Sequence, residues 1–166
     1  MKYTTSEVVF REIPDEITLA INISNCPIHC PGCHSPELWE DIGKELTPET
    51  LVTLIRENPG ITCVAFMGGD ADPDYIIELA AKVKTEDPEL KVAWYSGRES
   101  LRISIIYLLA FDYIKLGPYI QEKGPLDNPN TNQRLFMKDF KENGGAEFID
   151  ITNKFWENGQ TLSSNN

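Results

Sequence analysis

Three of the four cysteines in this chain of 166 residues lie within eight positions, at Cys26, Cys30 and Cys33. Prolines and a glycine stand between them, so the segment is predicted to be a loop. Core packing does not require three thiols in so short a loop, because a cysteine buried for packing acts only as a small apolar residue. The spacing C-x3-C-x2-C therefore favours cysteines that bind a metal centre or take part in catalysis.

Composition limits the class of protein in which these cysteines act. A formal net charge of −11 argues against binding to a bare nucleic-acid backbone, which favours basic surfaces. No apolar run reaches the roughly 18 residues needed to span a membrane, and residues 1–10 lack the features of an export signal. We therefore expect a cytoplasmic protein without membrane or nucleic-acid partners, in which thiols stay reduced and available as ligands.

Hydrophobic patterns predict strands that alternate with helices along the chain. Alternating apolar residues and short apolar runs are typical of strands, whereas apolar residues three and four positions apart are typical of helices. Thr47-Pro48 and Asp72-Pro73 indicate helix starts, because in each a capping side chain precedes a proline at the first helical position. The predicted strands are 17–23, 61–67, 90–95, 113–116, 133–137 and 147–151, and a third helix is predicted over 101–109.

This alternation predicts right-handed βαβ units and therefore a parallel sheet. The chain is too short for eight such units, so we expect an α/β fold with an incomplete (β/α) barrel and a curved, mostly parallel sheet. One domain is expected over 1–166, with a core at about 17–137 and a C-terminal extension at 138–166.

Functional loops of parallel sheets lie at the carboxyl ends of the strands. That rule groups the cysteine loop with three other segments, which are Gly68-Gly69-Asp70, Ser96-Gly97-Arg98 and Gly117-Pro118-Tyr119. We therefore expect these four loops to converge at the carboxyl end of the parallel strands and to form the site.

Several interpretations of the cysteine loop compete. Its run C-P-G-C-H matches the C-x-x-C-H pattern of a c-type haem, although such haems are attached outside the cytoplasm and the first cysteine would have no role. Zinc could take the three thiolates with His29 or His34, and the last two cysteines could instead form a redox pair. A [4Fe–4S] cluster uses all three thiolates and leaves one iron open for a substrate, while Cys63 lies in an apolar strand as a core residue.

The spacing C-x3-C-x2-C directly after a first strand resembles the radical S-adenosylmethionine (SAM) superfamily. The turn Gly68-Gly69-Asp70 after the next strand strengthens the resemblance, because the corresponding turn of that superfamily binds the amino group of SAM. Glycines let main-chain carbonyl groups approach an ammonium closely, and the acid supplies the opposite charge. The resemblance implies a [4Fe–4S] cluster on Cys26, Cys30 and Cys33, with SAM as the second cofactor.

Further motifs resemble the anaerobic ribonucleoside-triphosphate reductase activating proteins of that superfamily. The similarity covers about 17–136 and rests on C-x3-C-P-G-C, Trp94-Tyr95-Ser96-Gly97, Gly117-Pro118-Tyr119 and Asn132-Gln133-Arg134. Two positions depart from the superfamily's usual pattern, since Gly32 and His34 stand where aromatic residues are common. The resemblance implies that the residues around SAM are Gly32, Cys33, His34, Gly68, Gly69, Asp70, Ser96, Asn132 and Arg134.

The same resemblance implies a reaction and its partners. The reduced cluster cleaves SAM to methionine and a 5′-deoxyadenosyl radical, which takes a hydrogen atom from a glycine on the large subunit of the reductase. A one-electron donor such as flavodoxin supplies the electron, and the protein positions the cofactors and excludes water. Three alternatives stay open: an activator of another glycyl-radical enzyme, a radical SAM enzyme that acts on a small molecule, and a zinc-binding module without catalysis.

Overall fold

In a computed structural model of the chain, residues 1–101, 104–142 and 144–156 are described, and they form an α/β structure around one eight-stranded sheet. The strands are β1 (Lys2–Val9), β2 (Thr18–Ile23), β3 (Lys44–Glu45), β4 (Cys63–Met67), β5 (Lys91–Tyr95), β6 (Tyr113–Leu116), β7 (Arg134–Phe140) and β8 (Ala146–Asp150). The helices are α1 (Pro48–Glu57), α2 (Pro73–Glu86) and α3 (Ile105–Leu108), with a 3₁₀ helix at Pro36–Trp39. None of the helices in these ranges is long and apolar enough to cross a membrane.

Parallel strands form the centre of the sheet, and antiparallel strands form both edges. The order is β3-β1-β2-β4-β5-β6-β7-β8. Among the described residues, three of the seven strand pairings are parallel, and these join β2, β4, β5 and β6. The prediction of a mostly parallel sheet is therefore wrong at the edges, where the neighbouring strands are antiparallel and need no helical crossover between them. No pairing joins β3 to β8 in the described chain, so the sheet is open.

The predicted central strands and the two predicted C-terminal strands are confirmed, whereas β1 and β3 were not predicted from the sequence. The sequence of β1 is KYTTSEVV, and Tyr3 is its one buried side chain. A strand with so little burial lacks the alternating apolar pattern that identifies a strand. β3 has two exposed residues and carries no hydrophobic pattern at all.

The two long helices begin where their capping residues predict. The side chain of Thr47 accepts a hydrogen bond from the N–H of Thr50, and that of Asp72 accepts one from the N–H of Tyr75. The third helix is shorter than the predicted span 101–109, because its chain closes into successive i→i+3 turns. Residues 102 and 103 of that span lie outside the described residues.

The sheet carries apolar side chains on both faces, as expected for buried parallel strands. In β4, Val64 and Phe66 face the helices and belong to the same core cluster as Leu51 of α1 and Leu79 of α2. The alternate residues face the other side, which is covered by loop and edge-strand residues, and Cys63 belongs to this second layer. Burial raises the pKa of the Cys63 thiol, so the predicted core role of this cysteine is confirmed.

A buried carboxylate joins the amino ends of the parallel strands. Glu16 forms an ion pair with Lys91 and accepts hydrogen bonds from Thr62 Oγ1 at 2.6 Å and from the Tyr113 hydroxyl at 2.8 Å. These partners come from the chain just before β4 and from the first residues of β5 and β6. Glu16 therefore holds three neighbouring strand starts together at the end of the sheet opposite the cysteine loop.

We expect Glu16→Ala to lower the free energy of unfolding by about 2–3 kcal/mol, because it leaves the Tyr113 hydroxyl and Thr62 without their acceptor and removes the counter-ion of Lys91. Urea denaturation followed by circular dichroism measures the change. Glu57→Ala is the matched control, since Glu57 is exposed at the last residue of α1. Equal stability of the two variants would contradict the structural role of Glu16.

Candidate metal centre

The cysteine loop leaves the carboxyl end of β2 and is closed at its base by main-chain hydrogen bonds. The N–H of Asn25 donates to the carbonyl of Glu40 at 2.9 Å, and the N–H of Cys26 donates to that of Leu38 at 2.8 Å. Asn25 and His29 adopt positive φ angles of 60° and 50°, which only a tightly turning chain imposes on such residues. The loop is thus a closed structure that returns the chain to its starting point through the 3₁₀ helix.

All three loop cysteines are free thiols and are half-buried. The N–H of Cys33 donates to the carbonyl of Cys30 at 3.0 Å, which places these two cysteines on one turn. The N–H of Ser35 points at the Cys33 sulfur at 3.4 Å. Burial raises the pKa of the Cys26 thiol, and hydrogen bonds from the N–H groups of Ile28 and His29 oppose that rise. The loop therefore directs amide donors at its sulfur atoms.

Asp70 joins the turn after β4 to the turn after β5. Its side chain is 1% exposed, and it accepts hydrogen bonds from Ser96 Oγ at 2.6 Å and from the N–H of Gly97 at 2.8 Å. Arg98 adds a bond from Nη2 to the Asp70 carbonyl at 2.9 Å and an ion pair at 3.6 Å. The predicted residues Asp70 and Ser96 are thus brought together, and the carboxylate is engaged by the protein itself.

Three glycines of the site are required by close approaches or by backbone conformation. A Cβ at Gly97 would lie 2.8 Å from the side chain of Ile28, so the cysteine loop packs directly against the turn after β5. Gly68 and Gly69 have φ angles of 115° and 94°, which side chains rarely allow. A Cβ at Gly69 would also lie 2.4 Å from Ile76, so this position serves packing as well as any approach by a ligand.

The remaining predicted residues near the cysteines contact the segment that follows β6. His34 packs against Tyr119 with ring centroids 4.9 Å apart, and Gly32 approaches the side chain of Gln121. His34 also lines a cavity of about 670 Å³ together with Met67 and Tyr95, the last residues of β4 and β5. That cavity lies on the second face of the sheet and opens beside the cysteine loop.

Asn132 and Arg134 lie near one another, and both side chains are engaged by other groups of the protein. Asn132 Nδ2 donates to the Pro118 carbonyl at 2.9 Å, while its Oδ1 is buried without a hydrogen-bond partner in the described chain. Arg134 donates to the carbonyls of Thr131 at 2.7 Å and Gln133 at 2.8 Å. Both side chains border a smaller cavity of about 230 Å³. The structure therefore gives Arg134 a local anchoring role, and its predicted contact with SAM or a partner stays a prediction.

Lys115 is a residue of the site that the sequence did not reveal. It lies on β6, is 8% exposed, and donates from Nζ to the Gly117 carbonyl at 2.7 Å. Burial lowers the pKa of its ammonium to about 8, and the nearby groups Cys30, Asp70, Cys26 and Cys33 oppose that fall. A lysine in a short apolar strand offers no sequence pattern that separates it from a surface lysine, so only the fold identifies it.

The donor set fits an iron–sulfur cluster. Three free, half-buried thiols on one closed loop, with amide donors facing sulfur, match the thiolate ligands and hydrogen bonds of such clusters. Among the described residues, no three His, Cys, Asp or Glu side chains are arranged to hold a single metal ion. A [4Fe–4S] cluster does not require that arrangement, because each thiolate binds a different iron.

Comparison with known proteins gives one match. Residues 17–135 match the model of a family described as a 4Fe-4S single cluster domain, and this span includes the cysteine loop and strands β2 to β6. Searches of curated proteins and of solved structures find no match.

We expect Cys26→Ala, Cys30→Ala and Cys33→Ala each to lose most of the iron that the wild-type protein takes up during anaerobic reconstitution, because each removes one of three thiolate ligands. Iron and sulfide are measured per chain. Cys63→Ala is the control, since Cys63 is buried in β4 and should leave the iron content unchanged. Equal iron content in all four variants would show that the loop is not the ligand set.

We expect Asp70→Asn to destabilise the chain by about 2 kcal/mol even without cofactors, because the neutral amide loses the ion pair with Arg98 and offers one acceptor oxygen where the carboxylate offers two. Urea denaturation of the metal-free protein measures this. Asp74→Asn provides the control, as Asp74 is exposed in the first turn of α2. If both variants unfold at the same urea concentration, Asp70 does not join the two turns.

Proposed function

We propose that this chain, which belongs to the family of 4Fe-4S single cluster domains, activates an anaerobic ribonucleoside-triphosphate reductase by forming a glycyl radical on its large subunit. The proposed cofactors are a [4Fe–4S] cluster on the loop cysteines and SAM, and the proposed electron donor is a one-electron carrier such as flavodoxin. A cytoplasmic location belongs to the proposal, because reduced thiols are available there.

One observation supports the proposal above all others. The cysteine loop and the glycine turn at 68–70 lie at the carboxyl end of the parallel strands. Asp70 joins that turn to Ser96 and Gly97, and Ile28 of the loop packs against Gly97. A chain that only bound zinc through the loop would not need a buried carboxylate to fix the neighbouring glycine turn. The combination favours a loop that works with a ligand held at the turn.

The residues at this end of the sheet would have separate roles in binding the cluster and SAM. Cys26, Cys30 and Cys33 would bind three irons of the cluster and leave the fourth for SAM. When bound, the cluster would supply the electron that cleaves SAM, and the resulting 5′-deoxyadenosyl radical would take a hydrogen atom from the partner's glycine. Trp94 Nε1 donates to the Gly68 carbonyl at 2.9 Å, so this oxygen has a fixed direction and retains a lone pair for the SAM ammonium.

The large cavity offers a place for the partner's glycine. It begins at Met67, Tyr95 and His34 beside the cysteine loop, and its wall is mixed, with apolar and charged side chains. Phe10 on this wall is 70% exposed. An extended peptide needs apolar surface for its side chains and polar groups for its backbone, so this cavity suits a protein loop as the substrate.

The decisive experiment uses the full chain reconstituted anaerobically with iron and sulfide, with dithionite as reductant. With SAM present we expect methionine and 5′-deoxyadenosine to form, and with the large reductase subunit added we expect a glycyl-radical signal by electron paramagnetic resonance. The cluster-free Cys30→Ala variant is the control and should give neither product nor signal.

Each other outcome selects a different function. SAM cleavage without a radical on the reductase would move the proposal to another glycyl-radical enzyme or to a small-molecule substrate, which a substrate screen then separates. Zinc without iron uptake would reject radical chemistry altogether. Covalently attached haem, detected by a pyridine haemochrome assay, would reject the cluster.

A further inference from the structure

Lys115 is a buried cation for which the described residues provide no ion pair. Its Nζ donates to the Gly117 carbonyl at 2.7 Å and lies 6.0 Å from the centre of the Tyr95 ring. An ammonium taken from water into a protein interior is costly unless charges of opposite sign surround it. The buried ammonium of Lys115 therefore requires a negative charge nearby.

Asp70 and the three loop cysteines are the acidic groups near Lys115. The contacts of the following segment also place the loop there, because Lys115 Nζ donates to the Gly117 carbonyl and Tyr119, two residues further on, packs against His34 beside Cys33. Asp70 already pairs with Arg98 and accepts hydrogen bonds from Ser96 and Gly97. Its charge is thus shared with groups other than Lys115. Lys115 itself has no ion pair with a carboxylate among the described residues, so the thiolates that form when the loop binds a metal centre would supply the counter-charge that it lacks.

The position of Lys115 is fixed by the sheet. In the parallel pairing of β5 with β6 it is the partner of Tyr95, and in the antiparallel pairing with β7 it is the partner of Leu135. Its carbonyl accepts the N–H of Ser96 at 2.8 Å. The lysine is therefore held on a strand that is hydrogen-bonded on both sides, at the carboxyl end of the parallel strands, where the cysteine loop leaves β2.

We propose that Lys115 is the buried counter-ion of the cysteine loop, where its ammonium balances the thiolates and raises the reduction potential of the cluster that they bind. Reduction adds one electron to the cluster from the external donor and makes its total charge more negative. A fixed positive charge nearby stabilises the reduced form more than the oxidised form. This inference rests on the proposed cluster but not on the identity of the reductase.

Two substitutions separate charge from hydrogen bonding. Lys115→Gln removes the charge and keeps a donor for the Gly117 carbonyl, whereas Lys115→Met removes both. Lys82→Met is the matched control, because it removes a lysine charge from the outer helix α2, where Lys82 pairs with Glu86. Each full-length variant is reconstituted anaerobically, its iron is counted, and its cluster is titrated with dithionite by electron paramagnetic resonance without SAM.

We expect both Lys115 variants to show a more negative midpoint potential than the wild type, and Lys82→Met to match the wild type. Loss of iron by folded Lys115→Gln, with iron retained by Lys82→Met, would support the same role in cluster binding. A wild-type potential in Lys115→Gln would overturn the inference while leaving the proposed function intact. No iron uptake by the wild type would overturn both, whereas a shifted potential without SAM cleavage would reject the proposed function alone.

Discussion

The site depends on one buried carboxylate. Because β4 and β5 are parallel, the turns that follow them lie at the same end of the sheet, but strand pairing alone does not fix those turns against each other. Asp70 prevents this by accepting hydrogen bonds from the Ser96 hydroxyl and the Gly97 N–H, and both Asp70 and Ser96 are buried. Because Ile28 packs on Gly97, the cysteine loop is positioned by the same interaction.

Buried charges occupy both ends of the central strands, with different partners. At the amino ends, Glu16 has an ion pair and two hydroxyl donors, so its charge is satisfied within the protein. At the carboxyl ends, the described residues give Lys115 one carbonyl partner and no ion pair, and its proposed counter-charge is the set of thiolates that forms when the loop binds a metal centre. The first arrangement stabilises the empty protein, whereas the second gains from a cluster. This difference distinguishes a structural end from a functional end of the sheet.

Sequence patterns located the site better than they located its individual contacts. The cysteine spacing and the glycine turn identified two segments that lie at the carboxyl end of the parallel strands, because turn-forming residues and clustered thiols can be recognised without knowledge of the fold. Asn132 and Arg134 were predicted to lie around SAM, and this stays a prediction, while the structure shows Arg134 donating to carbonyls of its own segment. A guanidinium can bind any nearby acceptor, and its choice depends on loop geometry that no sequence pattern contains.

The sequence by itself determined the strand–helix alternation, the two capped helices, the core role of Cys63 and the loop that carries three thiols. These features follow from local periodicity, capping chemistry and spacing, which act over a few residues. Tertiary structure alone decided the antiparallel edges, the Asp70 junction and the burial of Lys115. Each of these joins segments distant in the chain, and a pairing between distant segments is set by how the whole sheet packs rather than by neighbouring residues.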